Sequence, residues 1–249
     1  MDNNPVKNLA FALHLGGTRS TLECSESIYK KQADTIAQFP SPTFVTPGIS
    51  DWFDCPNKDE ALGFFVTHLG PNLSLRWPTN QTEPLGVIER SEKHPELFRF
   101  IYEGVLVIGL HMINPKGEYI SARDKRMETS MQWLAETVEE KMEQHEIRGV
   151  VVVGHAGKSD NTNHFFPHAR KYFSGTRSEI PVLWLHASGD EWTLDVRSPL
   201  YFVGVDQRGL TRPMIVDVAK QRKGKASGLR EQSDSQKIVG KSTFLIDKG

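Results

Sequence analysis

The chain lacks most features that announce a function. It has two cysteines, Cys24 and Cys55, in 249 residues, too few for a disulfide-dense secreted scaffold. No stretch approaches the roughly 20 apolar residues that span a bilayer, so no membrane span is expected. Neither sign of charge dominates: 30 Lys and Arg against 31 Asp and Glu leave a net charge of −1. A field of that size draws the whole molecule to neither nucleic acid nor an anionic membrane. Met1–Lys7 is polar and does not read as a secretory leader, and the compartment stays open. There is no Gly-x-Ser-x-Gly elbow, and neither cysteine sits in an activated setting. A Gly-x-x-x-x-Gly-Lys-Ser/Thr phosphate loop is also missing: Ser242 follows Gly240-Lys241, but the upstream glycine is absent.

What is present fits a globular α/β protein, with 38% hydrophobic and 24% charged residues. Leu9–Leu15 is a short apolar run ending at Gly16-Gly17, read as a strand meeting a turn. Helices are expected over 25–38 and 59–69, with a strand at 43–46 between them. Residues 70–95 show no clear period, apart from a strand near Leu73–Trp77. Strands follow at 98–101 and 105–110. Ser121–His145 is the plainest helix, because Met127, Met131, Leu134, Val138 and Met142 recur on one face. Gly149–Val153 and Pro181–Leu185 are continuous apolar runs, as expected of strands covered on both faces. Two more strands are expected at 193–196 and 214–218.

Lys220–Gly249 differs in composition. It carries eight Lys or Arg against three Asp or Glu, so this segment is +5 and the remainder −6. Its Gly, Ser, Gln and Lys content reads as a basic, flexible extension, leaving 1–219 as the folded domain. The clustered cations Lys220–Lys225, Lys237 and Lys241 would suit docking on an acidic protein partner. Asn72-Leu-Ser and Asn80-Gln-Thr fit the glycosylation triplet, a pattern short enough to arise by chance.

Several strands end in small or polar residues: His14-Leu-Gly-Gly17, Gly154-His155, and His186-Ala-Ser-Gly-Asp190. Ligands in α/β sheets bind beyond the carboxyl ends of strands, so imidazoles and carboxylates there invite a metal or phosphate reading. The same residues also serve as plain hydrogen-bonding scaffold.

The order of these features, with Pro47-Gly-Ile-Ser-Asp-Trp-Phe-Asp-Cys55, resembles a subgroup of the calcineurin-like metallophosphoesterases. That subgroup carries a strand, His-x-Gly-Asp, a cysteine loop, a helix and a strand ending Pro-Gly-Asp-Asn-Glu-Trp-x-Asp-Cys. The resemblance spans roughly 9–218 and is most specific at Pro47, Gly48, Trp52, Asp54 and Cys55. It continues through a strand at 105–110, a helix with Arg126 and Trp133-Leu134, a strand ending near His155, and His186–Asp195. It implies a layered sandwich of two mixed β-sheets flanked by helices, without the family's first motif. It also implies that Cys24 and Cys55 lie close enough for a disulfide.

The family clamps a phosphoryl group between two bridged metal ions. Here the bridging Asp position matches Gly17, the Asp-Asn pair matches Ile49-Ser50, and the last His matches Asp190. The remaining candidate ligands are Asp51, His155, His186 and Asp190, enough for at most one divalent ion such as Zn, Mn or Fe. His155 is the candidate catalytic residue in that case. Two expectations follow from the resemblance: a catalytically degenerate scaffold or binding subunit of a protein assembly, or a metal-dependent phosphoesterase with a remodelled single-metal site. A third is retention of a phosphorylated small molecule near Arg19 without cleavage.

Overall fold

The computed structural model describes residues 9–18, 23–77, 85–113, 120–157, 165–174, 179–188, 192–197, 199–206, 214–219, 236–238 and 243–247. In chain order the strands and helices are β1 (Ala12–His14), α1 (Glu26–Ile36), β2 (Thr43–Val45), α2 (Lys58–Leu69), a 3-10 helix (Pro71–Arg76), β3 (Glu89–Arg90), β4 (Phe98–Tyr102) and β5 (Val105–Gly109). Then come α3 (Ile120–Gln144), β6 (Gly149–Gly154), α4 (Phe165–Phe173), β7 (Val182–Ser188), β8 (Thr193–Arg197), β9 (Leu200–Asp206), β10 (Ile215–Ala219), β11 (Gln236–Ile238) and β12 (Thr243–Asp247).

The main sheet has seven strands in the order β3-β4-β5-β6-β7-β9-β8. Its centre, β5-β6-β7-β9, is parallel, and both edges are antiparallel. β1 and β2 form a separate parallel pair in which His14 faces Val45 across the register. β10, β12 and β11 form an antiparallel trio, so the basic segment contains two strands.

Three apolar clusters fix the layering. On one face of the main sheet, Leu106, Val150, Val182 and Trp184 pack against Met127, Leu134 and Val138 of α3 and Phe173 of α4. On the other face, Phe98, Phe100, Val151 and Leu183 pack against Phe44 of β2. Val45 of β2 turns the opposite way, into a third cluster with Tyr29 of α1 and Phe65 of α2. The layers therefore run helix, small sheet, large sheet, helix. Phe44 and Val45 take opposite sides because successive strand residues do. Each fully buried Leu or Val in these clusters contributes about 1.5–3 kcal/mol.

Local chemistry accounts for the boundaries. The Asn57 side chain accepts from the Glu60 amide at 3.2 Å, and Asp59 and Glu60 occupy the first turn of α2. On the outer face, Arg99 of β4 pairs with Glu140 of α3 at 2.7 Å, and Lys141 of α3 with Glu89 of β3 at 2.6 Å. These pairs pin α3 to the sheet edge.

The strand expected near Leu73–Trp77 is instead the 3-10 helix, started by Pro71. Leu73 and Trp77 are buried while Leu75 is 82% exposed, so the apolar period is four and not two. Among the described residues, no helix is long and apolar enough to cross a membrane.

Candidate functional site

The ends of β1 and β2, which run parallel, bring two turns together. Gly16 has φ +82°, and a Cβ placed on it would lie 2.5 Å from the Gly48 nitrogen. Glycine is required at Gly16 by conformation and by space. A Cβ on Gly48 would sit 2.4 Å from the Gly17 nitrogen and 2.9 Å from Nδ1 of His155, so the two turns meet backbone to backbone.

Asp51 closes this junction. Its Oδ2 accepts from the amides of Gly17 at 2.8 Å and Gly48 at 2.7 Å. Its Oδ1 accepts from the Thr18 amide and the Thr18 hydroxyl, each at 2.7 Å. Tyr29 of α1 donates to the Asp51 carbonyl at 2.6 Å. The carboxylate is thus spent on protein donors, four of them, in a position with no solvent exposure. Such a group is a brace between turns.

His14 and His155 border the brace, His186 lies beside His155, and the three imidazoles are not equivalent. Nδ1 of His14 accepts from the Gly16 amide at 3.2 Å, which leaves its proton on Nε2. His155, one residue past β6, has Nδ1 at 2.8 Å from the Leu15 carbonyl. His186, on β7 opposite Gly154, has Nδ1 at 3.0 Å from the Ala187 carbonyl. A carbonyl only accepts, so His155 and His186 donate from Nδ1 and present a lone pair at Nε2. Burial, working against the attraction of Asp51, holds His14 below the usual imidazole range, and His155 adds to the effect. Burial also lowers His186, with the Ala187 carbonyl opposing and His155 assisting. Neither ring therefore gains a stabilised charge with which to attract an anion.

The motif residues divide into support and surface. Pro47, Gly48 and Trp52 are buried, and Asp54 is exposed. Cys55 is buried and joined to Cys24 by a disulfide with Cα atoms 5.9 Å apart. This bond ties the motif loop to the segment leading into α1. Ile49 packs partly buried against the α1–α2 cluster and offers no metal-ligating atom. Asp190 and Arg19 lie outside the described residues.

A bridged pair of metal ions does not fit these residues. Gly17 has no donor, Ile49 has none, and both oxygens of Asp51 are engaged. Among the described residues, no group of three or more His, Cys, Asp or Glu is placed to hold a metal ion. At this junction, His155 and His186 keep the tautomer that a ligand needs, with Nδ1–H on a backbone carbonyl and Nε2 left to accept.

Sequence reasoning passed over a second polar group beside this site. His111, two residues past β5, is buried with Glu96, which also pairs with the half-buried Arg126, and lies against Trp52. The signal was available: His111 follows an apolar strand just as His155 does. Comparison with family models, curated proteins and solved structures finds no match to the chain.

Proposed function

We propose that this chain is a metallophosphoesterase-like protein whose two-metal centre has been dismantled, and that it acts by binding, as a scaffold or subunit of a protein assembly. The observation that carries this reading is Asp51. Where a phosphoesterase of this type needs free carboxylates, the Asp51 carboxylate at the junction of the turns is taken up by Gly17, Thr18 and Gly48. The helix–sheet–sheet–helix layering supports the family reading, and Pro47, Gly48, Trp52 and Cys55 supply its motif. The basic segment 220–249 is the docking element in this reading, suited to an acidic protein surface.

One observation favours a second reading, an active phosphoesterase with a single-metal site. His155 and His186 both hold Nδ1–H on a backbone carbonyl and leave Nε2 to accept, the arrangement of a metal-ligating histidine.

The two readings separate in one experiment. The chain is loaded with Zn, Mn or Fe, desalted, and measured for bound metal and for hydrolysis of p-nitrophenyl phosphate. The binding reading expects metal well below one ion per chain and no turnover. About one ion per chain, with turnover lost in His155→Ala, would replace it with the hydrolase. Docking is tested separately by changing Lys220, Arg222, Lys223 and Lys225 to Gln, which should weaken retention on a polyglutamate matrix. Unchanged retention removes the tail from the proposal.

A further inference from the structure

Behind the motif loop lies a buried polar cluster that the proposed function does not use. His111 is 1% exposed and Glu96 is 2% exposed. The Nδ1–H of His111 donates to Oε1 of Glu96 at 2.9 Å, and Arg126 of α3 donates to the same oxygen at 3.0 Å. His94 completes the group, with Nδ1 at 3.3 Å from the Arg126 guanidinium and 3.8 Å from Glu96. Ser130 of α3 donates to the His111 carbonyl at 3.1 Å. Trp52 covers the cluster. Its ring meets His111 edge-on at 5.0 Å between centroids, and the Arg126 guanidinium lies 5.3 Å from its ring centroid. Four parts of the fold thus converge: the end of β5, the β3–β4 connection, α3 and the motif loop.

Two buried nitrogens in this cluster have no hydrogen-bond partner among the described residues, Nε2 of His111 and Nε1 of Trp52. With Nδ1–H given to Glu96, neutral His111 leaves only a lone pair at Nε2, which is tolerable in an apolar setting. A proton added there creates a buried N–H with no acceptor. It also adds a full cation to Arg126 and to Arg90, the half-buried β3 residue that faces Glu96, so that three cations share that one carboxylate. Opening the cluster relieves both costs.

We propose that the Glu96–His111–Arg126 cluster is an acid-released latch, which at neutral pH holds Trp52 and the motif loop in place and on acidification lets that loop open. Trp52 is the next residue to Asp51, so the brace at Gly17, Thr18 and Gly48 moves with it. The latch does not depend on whether the site binds a partner or a metal ion.

The direction of the electrostatics agrees. Burial, opposed by Glu96 and aided by Arg126 and His94, lowers His111 from its ordinary value. Burial opposes the charge of Glu96, but the hydrogen bond from His111, its backbone hydrogen bond and Arg126 hold its carboxyl below the usual range. Both groups bind fewer protons closed than open. Stability is therefore present at neutral pH and is lost first as pH falls through the open-state histidine range, near 6.5. The Glu96 contribution disappears later, as pH falls through and below the ordinary carboxylate range.

The test is amide hydrogen exchange of the full chain at pH 7.5 and 5.0, corrected for intrinsic rates. One proton taken up on opening allows a rise of up to about 30-fold in exchange over 47–55 across this interval. In His111→Asn, whose side-chain amide stands in for Nδ1–H towards Glu96 but does not titrate, the rise should shrink at least about tenfold. An equal rise in the variant, or no rise in the wild-type chain, overturns the latch. The wild-type protein gives a second readout by imidazole NMR. The His111 ring should charge over the same pH range in which 47–55 loses protection. A His111 ring that charges while 47–55 stays protected also overturns it.

Discussion

The two sides of the main sheet are held to it by different means. On the α3–α4 side the contacts are apolar and continuous: Leu134, Val138 and Phe173 against Val150, Val182 and Trp184. The other side has an apolar cluster of its own, with Phe44 against Phe98 and Phe100, but the turns beyond β1 and β2 are held by a disulfide and a braced carboxylate. Apolar packing loses strength gradually as side chains shrink, whereas a polar brace fails at one atom, because its donors are left buried and unpaired. The side that carries the candidate site is therefore the more brittle one.

Breaking the brace should have the largest effect. Asp51→Ala strips acceptors from three amides and a hydroxyl, and about 4 kcal/mol of stability should be lost, read as a lower midpoint in urea unfolding. A loss under 1 kcal/mol would show that the turns hold themselves. Next comes the covalent tie. The disulfide joins residues 31 apart, and its removal in a Cys24→Ser, Cys55→Ser pair should cost about 3–4 kcal/mol by loop-closure entropy. Hydrogen exchange should place that loss mainly in α1, α2 and the motif loop. An equal loss of protection across β5–β6–β7 would mean the two sides unfold as one. The smallest change runs the other way. Gly63 lies in the middle of α2, and a Cβ there meets nothing within 4 Å. Gly63→Ala should stabilise the chain by about 0.5–1 kcal/mol in thermal unfolding.

The same contrast decides what was legible in the sequence. The α3–α4 side writes itself in period: Met127, Leu134 and Val138 mark a helix face, and Val150–Val153 marks a strand covered on both sides. Two elements escaped this reading. α4 begins with Phe165-Phe166-Pro167, and the proline reads as a breaker although the first turn of a helix tolerates it. β9 passed unread because Leu200–Asp206 mixes Gly204 into its apolar residues. On the site side the motif at 47–55 was visible, but its use was not. The bonds of Asp51 to Gly17 and Thr18 cross more than 30 positions, and no local pattern encodes them. The tautomers of His14, His155 and His186 depend on which backbone atom faces each ring, a fact of the fold alone. Glu96, His111 and Arg126 are likewise scattered along the chain and meet only when β5 and α3 are in place.

β2 has a consequence of a different kind. Its residues are all buried, with Phe44 committed to one core and Val45 to another. Most strands in a layered protein answer to one neighbour on each face, and drift on one face can be absorbed by repacking there. Thr43–Val45 has no such slack, since a shift of one residue would exchange Phe44 and Val45 between two differently shaped cores. The outer face of α3, with Glu128 and Glu143, is exposed and makes no such demand. Over evolutionary time the shortest layer of this protein is the part least able to change.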